Sequence, residues 1–308
     1  MLLATGQFEE GWHYYEWRPS LRGSTRRFSV PLWDGKPSAD RVLLLHAEQG
    51  LGDTLQFCRY APLVGAGIPV ILEVQPALRN LLSCLPGVVG IVAAGESPPP
   101  YDAHFPLMSM PRLIGSTVDT IPSSVPYLSA DPQRQLAWRR RLSSLGGAAK
   151  VGLVWAGRHE AEGPASAAMD RRRSIALAQM SVFADIEGVC FVSLQKGPAA
   201  AQATHPPERL TVYDFTEALT DFADTAALVD ELDLIISVDT AVAHLAGALG
   251  KPTWMLDRFD SCWRWLVDRD DSPWYPTLRL FRQPLAGDWA SVMAAVRGAL
   301  RQWVRDRG

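Results

Sequence analysis

Short, unbroken apolar runs recur along the chain, separated by glycine-bearing turns and by stretches with helical spacing. VLLLH at 42–46 leads through AEQGLGD into a helix expected over Thr54–Val64, and PVILEV at 69–74 follows. Val88–Val92 and His104–Leu107 extend the series, with the SPPPY stretch at 97–101 as a surface connection. A second series begins at Val151–Trp155 and continues at Val189–Leu194, Leu210–Tyr213 and the run after Leu232, with helices expected over Leu177–Ile186 and Thr225–Leu232. Runs apolar at consecutive positions belong to strands covered on both faces, so both series predict parallel sheets built from right-handed strand–helix–strand units. The expected fold class is α/β, with two doubly wound, Rossmann-like domains. Between them the basic amphipathic helix opened by Asp131 (QRQLAWRRRLSSL after the proline) runs into Gly146 and Gly147, where composition shifts. The expected divisions are a helical piece and linker over 1–34, a first domain over 35–147, a second over 148–285, and a C-terminal helix within 286–308. That helix, amphipathic over Trp289–Val304, is expected to cross back onto the first domain.

The segment Leu232–Pro252, LDLIISVDTAVAHLAGALGKP, carries the densest chemical signal. Leu234, Ile235 and Ile236 read as a buried strand, and Asp239 and Thr240 stand where they can cap a helix over Ala241–Leu249 that Gly250 and Pro252 terminate. A helix that starts at the C-terminal end of a parallel strand presents free backbone N–H groups and the positive end of its dipole, which stabilise a phosphate or pyrophosphate. Thr240 and the backbone of Ala241 are the expected phosphate contacts. His244, four residues after Thr240, projects from the same side. Asp239 fits equally a cap and a contact, and His244 fits equally a ligand neighbour and a satisfied, partly buried histidine.

Composition narrows the function classes. With 308 residues, 47% hydrophobic and 20% charged, the chain describes a soluble globular protein with room for two domains. A formal net charge of −3 provides no basic excess for a phosphate backbone, so no nucleic-acid partner is expected and any anion site must be local. Cysteines at 58, 84, 190 and 262 form no CxxC and no metal spacing, which reads as reduced core thiols in the cytoplasm without a metal site. No apolar run approaches the roughly 20 residues that span a bilayer, so no integral membrane contact is expected.

Further candidates sit at turns. Gly50-Leu51-Gly52-Asp53 follows the first strand; its glycines permit close backbone approach to a ligand, and Asp53 reads either as a helix N-cap or as a carboxylate that deprotonates an acceptor hydroxyl. Lys196, in a QKG turn, reads as a mobile charge for a departing phosphate or as a solvated surface lysine. In the run Arg171–Arg173, Arg173 is a candidate phosphate or sugar-carboxylate contact, with Ser174 as the expected N-cap of a following helix. Arg264 and Trp265, in an aromatic stretch that continues to Trp274 and Tyr275, fit a stacking platform for a sugar or base, or a loop pinned to the core. Asp268-Arg269-Asp270 has the outline of a DxD metal signature but follows no evident strand. Phe8, Trp12 and Tyr15 make one apolar stripe of a short N-terminal helix.

Taken together, GLGDTLQF at 50–57, VGLVWAG at 151–157, RRRSI at 171–175, SLQKG at 193–197 and VDTAVAHLAGALGKP at 238–252 resemble the heptosyltransferase-like family 9 of GT-B glycosyltransferases, and more closely its tetratricopeptide-linked relatives. The resemblance spans most of residues 41–285 and implies a GT-B architecture of two domains facing a cleft, while the N-terminal helix, taken with Leu2, Leu3 and Gly6, fits equally the remnant of a tetratricopeptide-like unit and a simple helix docked on the domain that follows. The resemblance implies Asp53 as general base. It also implies donor-phosphate binding by Asp239, Thr240 and the backbone of Ala241, to which the residues themselves add Gly52, Lys196, His244, Arg264 and Trp265 as donor-binding candidates. Family members usually have glycine after the threonine, so Ala241 is a departure. The expected activity is inverting, metal-independent transfer from a nucleotide-sugar, a substrate and not a cofactor, to a glycan or polypeptide hydroxyl. Alternatives are a noncatalytic binding protein and a sugar-nucleotide epimerase of the same fold.

Overall fold

The computed structural model describes residues 1–18, 26–146, 149–157 and 163–307. The expected joint at Gly146–Gly147 falls partly outside them. Among the described residues the apolar runs form two all-parallel sheets. The first has the order β3-β2-β1-β4, from β1 (Leu43–His46), β2 (Val70–Val74), β3 (Val88–Ala93) and β4 (Ala103–Pro106). Leu43 is in register with Val70 on one side and Ala103 on the other. The second has the order β10-β9-β8-β5-β6-β7, from β5 (Ala149–Val154), β6 (Val189–Ser193), β7 (Val212–Asp214), β8 (Leu234–Val238), β9 (Thr253–Asp257) and β10 (Leu278–Arg282). Strand order reverses beside β1 in the first sheet and between β5 and β8 in the second. In open parallel sheets the connections leave opposite faces at such a point and open a crevice at the strand ends.

Among the described residues, ten α-helices connect and cover these strands: α1 (Phe8–Tyr15), α2 (Leu51–Phe57), α3 (Ala61–Gly65), α4 (Arg79–Leu82), α5 (Met110–Ile114), α6 (Pro132–Leu142), α7 (Pro164–Arg173), α8 (Phe222–Asp230), α9 (Ala241–Ala248) and α10 (Trp289–Arg305). Aspartate caps start three of them: Asp131 Oδ1 accepts from the Arg134 N–H at 2.8 Å, Asp221 Oδ1 from that of Asp224 at 2.9 Å and Asp288 Oδ1 from that of Ser291 at 3.0 Å. The single helix expected over Thr54–Val64 is instead α2, a 3-10 turn at Cys58–Tyr60 and α3, with Pro62 near the start of the new helix. A proline there lacks the N–H that a continuous helix needs. The helix expected over Leu177–Ile186 is a 3-10 helix over Leu177–Phe183.

The C-terminal helix corrects another expectation. Trp289, Val292, Met293, Val296 and Leu300 bury their stripe with Val151, Leu153, Phe183 and Phe191, so α10 covers the second sheet and not the first half. Arg297 and Arg301 reinforce it by reaching Asp185.

The two halves share one apolar core, in which Leu55 and Phe57 of α2 lie with Leu245 of α9, Trp265 and Trp274. Arg59 is buried at this seam with no carboxylate partner among the described residues. Its guanidinium donates to the carbonyls of Gln56 (2.8 Å), Pro122 (3.2 Å) and Trp274 (2.8 Å) and to the Tyr127 hydroxyl (2.9 Å), and lies over the Tyr127 and Tyr275 rings. At the rim, Arg134 of α6 pairs with Asp221 and Asp224, and Arg139 with Glu231. The N-terminal stripe forms as expected: Phe8 and Trp12 are buried, Trp12 meets Trp263 edge-on at 5.3 Å, and its indole N–H donates to the Ser116 carbonyl at 2.9 Å.

Candidate functional site

The β8–α9 turn lies at the switch point of the second sheet. Thr240 occupies the N-cap position of α9 in extended conformation, yet no side chain caps the helix. Its hydroxyl pairs with the Ser237 hydroxyl at 3.1 Å, which leaves the first N–H groups of α9 without a side-chain acceptor. Asp239 is held through its backbone, whose carbonyl accepts from Arg173 Nη1 at 2.9 Å. Arg173 also pairs with the buried Asp170. This linkage explains Gly157: a Cβ there would come within 2.6 Å of Asp170 Oδ1. Ser174 is not the N-cap of a following helix but the residue after α7. Its hydroxyl donates to the Asp170 carbonyl (2.6 Å) and accepts from the Gly157 N–H (2.9 Å), because the arginine run ends a helix and does not precede one.

The β1–α2 turn lies at the switch point of the first sheet. Asp53 is not an N-cap. It sits three residues after Gly50, and its Oδ2 accepts from the Gly50 N–H at 2.8 Å while Oδ1 takes an ion pair from Arg264 Nη2. Gly52 was expected to let a ligand approach; the approach it permits is that of α9. A Cβ on Gly52 would lie 2.8 Å from His244 Cδ2 and 3.4 Å from the Ala241 Cα. The two turns therefore meet at Gly52, the residue before Asp53.

His244 is buried, with Nδ1 2.9 Å from the Tyr275 hydroxyl and its ring stacked on Trp265 at 5.2 Å. Burial, then the nearby cations Arg264, Arg59 and Arg173, hold its pKa well below the usual histidine value, so it is a neutral core histidine. Trp265, Trp274 and Tyr275 are each 0% exposed, which rules out the stacking platform in this arrangement. Arg264 is likewise buried: Nε donates to Gln56 Oε1 at 2.7 Å, and the guanidinium lies 4.4 Å from the Trp263 ring centroid. Packing of these rings against α1 and α2 is what buries the loop. Lys196 is exposed, but its Nζ donates to the Thr216 and Leu219 carbonyls at 2.8 and 3.1 Å, so it ties down a turn and is no free charge. Among the described residues no three His, Cys, Asp or Glu side chains gather as metal ligands would.

Sequence reasoning missed Gln195, beside Lys196. Its buried amide accepts from the Trp155 and Ala156 N–H groups and donates to the Ala156 and Lys196 carbonyls, fixing the C-terminal end of β5. A buried amide that satisfies both strand ends leaves no periodic signal. Missed as well was Asp257 at the end of β9, whose carboxyl burial pushes up to about 6 against the pull of Ser261 and Arg282.

Residues 200–256, which contain the β8–α9 turn, match the family described as glycosyltransferase family 9 (heptosyltransferase). The fold is similar to a glycosyl transferase family 9 structure from Veillonella parvula (TM-score 0.62, 10% identity, 87% of this chain and 98% of that one). It is similar too to E. coli ADP-heptose LPS heptosyltransferase II (TM-score 0.60, 14% identity, 87% and 99%). In sequence the chain is 30% identical to Protein FlbA of Caulobacter vibrioides over 333 aligned positions, covering 98% of this chain and 54% of FlbA, so it spans about half the length of that relative. No helix among the described residues is long and apolar enough to cross a membrane. The segment that builds the uncapped helix start thus carries a glycosyltransferase family 9 match, and the chain has a fold similar to that of solved heptosyltransferases.

Proposed function

We propose that the chain is an inverting, metal-independent glycosyltransferase that moves a sugar from a nucleotide-sugar to a hydroxyl of a glycan or a protein side chain. The observation that carries this reading is the uncapped N-terminus of α9 at a switch point, packed against Gly52, the residue before Asp53. In it, the second half (148–285) holds the donor and the first (35–147) presents the acceptor. Asp53 takes the acceptor hydroxyl proton as that oxygen attacks the anomeric carbon from the face opposite the leaving group. The bond from carbon to the phosphate oxygen breaks, and the helix start at Thr240 and Ala241 stabilises the charge that develops on the leaving nucleotide. Arg264 then serves to hold the Asp53 carboxylate, and Asp239 and Arg173 to shape the turn. ADP-heptose, the sugar in the name of the E. coli relative, is the first donor to try. A tetratricopeptide-linked protein acceptor and a cytoplasmic location complete the reading.

The test is calorimetric titration with a panel of nucleotide-sugars, followed by transfer assays on wild type and Asp53→Asn. We expect donor binding to persist in the variant while transfer is lost. If donor binding disappears with it, Asp53 is no base. The binding-protein reading is favoured by the engagement of Asp53 with Arg264 and of Lys196 with two carbonyls. No binding of any donor at millimolar concentration would establish it over transfer.

A further inference from the structure

The N-terminal helix reaches residues beside both partners of the Asp53–Arg264 ion pair. Arg18, just past α1, is buried and donates from Nη2 to Glu48 Oε2 at 2.6 Å, and Glu48 lies in the loop that runs from β1 to Asp53. The same guanidinium reaches Ser109 Oγ at 2.7 Å, Glu16 Oε1 at 2.9 Å and the Tyr15 carbonyl at 3.3 Å, and lies over the Tyr15 ring at 5.0 Å. On the other side, Trp12 and Tyr15 meet Trp263 edge-on at 5.3 and 5.5 Å. Trp263 carries Arg264 across its face and precedes it in the chain. The Ala4 carbonyl adds a bond from the Val267 N–H at 2.9 Å. Tyr15 is close enough to the pair that Arg264 and Asp53 pull its hydroxyl in opposite directions while burial raises its pKa.

We propose that α1 is part of the reaction site and not an appended helix: Arg18, through Glu48, and Trp12 and Tyr15, through Trp263, hold the Asp53 loop and the Arg264 arm in register, which makes Arg18 a positioning residue. The role in transfer rests on the glycosyltransferase reading; the positioning itself does not. A buried arginine on a carboxylate restrains a loop because losing one partner leaves the other charge uncompensated. A displacement of about 1 Å at a catalytic group costs about 10²-fold in rate.

The experiment compares full-length wild type with Arg18→Ala, Arg18→Lys, Glu48→Gln and the Arg18→Ala/Glu48→Gln double variant. The first readout is amide hydrogen exchange of the peptide spanning residues 47–54, which needs no substrate. We expect about tenfold faster exchange in Arg18→Ala and Glu48→Gln, no further increase in the double variant, and partial recovery in Arg18→Lys. Glu48→Gln, nearly isosteric, keeps the comparison available if Arg18→Ala does not fold. The second readout is transfer: kcat should fall about tenfold to 10²-fold with donor KM unchanged. Unchanged exchange would overturn the positioning, and faster exchange with unchanged kcat would overturn its role in the site. A wild type that binds no nucleotide-sugar defeats the functional reading, while the exchange comparison still decides the positioning.

Discussion

The turn Gly50–Asp53 after β1 and the turn Asp239–Ala241 after β8 have the same topology: each leads from a buried parallel strand at a switch point into a helix. They differ in what satisfies them. In the first, the Asp53 carboxylate accepts from Gly50 and pairs with Arg264, so the turn is complete within the chain. In the second, Thr240 turns its hydroxyl to Ser237, and the helix start keeps its donors for something else. A helix N-terminus with free N–H groups is stabilised by an anion, and a side-chain cap would compete with that anion. On the proposed reading, the first turn holds a carboxylate in place and the second receives a charge from outside.

The largest effect that would break this contrast is chemical. Asp53→Asn should lower kcat by about 10²–10⁴-fold, the usual range for losing a general base, with calorimetric donor affinity unchanged; full activity in the variant would leave Asp53 a purely structural group. Next is Gly52→Val, which drives a side chain into His244 and Ala241 where the turns meet. We expect about 1–3 kcal/mol lower stability in urea melts, and no change would mean that the helices are free to part there. Thr240→Asp sharpens the contrast from the other side. A carboxylate at the empty cap should raise stability by about 0.5–1 kcal/mol while weakening nucleotide-sugar binding about tenfold through like-charge repulsion; equal donor affinity would place the phosphate elsewhere.

The smallest expected effect concerns one buried histidine near each turn. Burial first, then His104, Arg26 and Arg18, bring His46 down to about 3, and burial with nearby arginines holds His244 well below its ordinary value. Both are depressed in the folded state, so the unfolded chain binds protons that the native one refuses. Their contribution is intact above about pH 6.5 and is lost as pH falls toward the folded values. At pH 6 the loss from His46 is about 0.8 kcal/mol. His46→Gln and His244→Gln should each flatten the decline of melting temperature between pH 7 and 5, and an unchanged slope would show that the ring already takes up protons in the native state.

What the sequence made legible were features with local signatures. Leu43–Leu45 and Leu234–Ile236 announced strands buried on both faces, and Thr240 followed by an alanine-rich helix ended by glycine and proline marked the β8–α9 turn. Both parallel sheets followed from such runs. Long-range partners were not legible: Arg264 lies 211 positions from Asp53, and nothing in either neighbourhood marks the pair. The aromatic stretch misled for a related reason. Tryptophans beside prolines read alike whether they face a ligand or a neighbouring helix, and only the packing of Phe8 and Trp12 against Trp274 decides for the latter. Ser174 was misplaced because its helix lies before it, behind a charge run that carries no direction.

Arg59 bears on how the chain comes apart. A guanidinium with no counterion among the described residues, solvated by carbonyls and rings from both halves, is stable only while all of them are present. Opening either half strips that solvation and charges the other half for it, so the seam should impose cooperativity on unfolding. We expect far-UV circular dichroism and tryptophan fluorescence to trace a single coincident urea transition, and Arg59→Met, which removes the charge while keeping bulk, to separate them. Two steps in the wild type would mean that each sheet keeps its own thermodynamic account of folding and that the seam couples nothing.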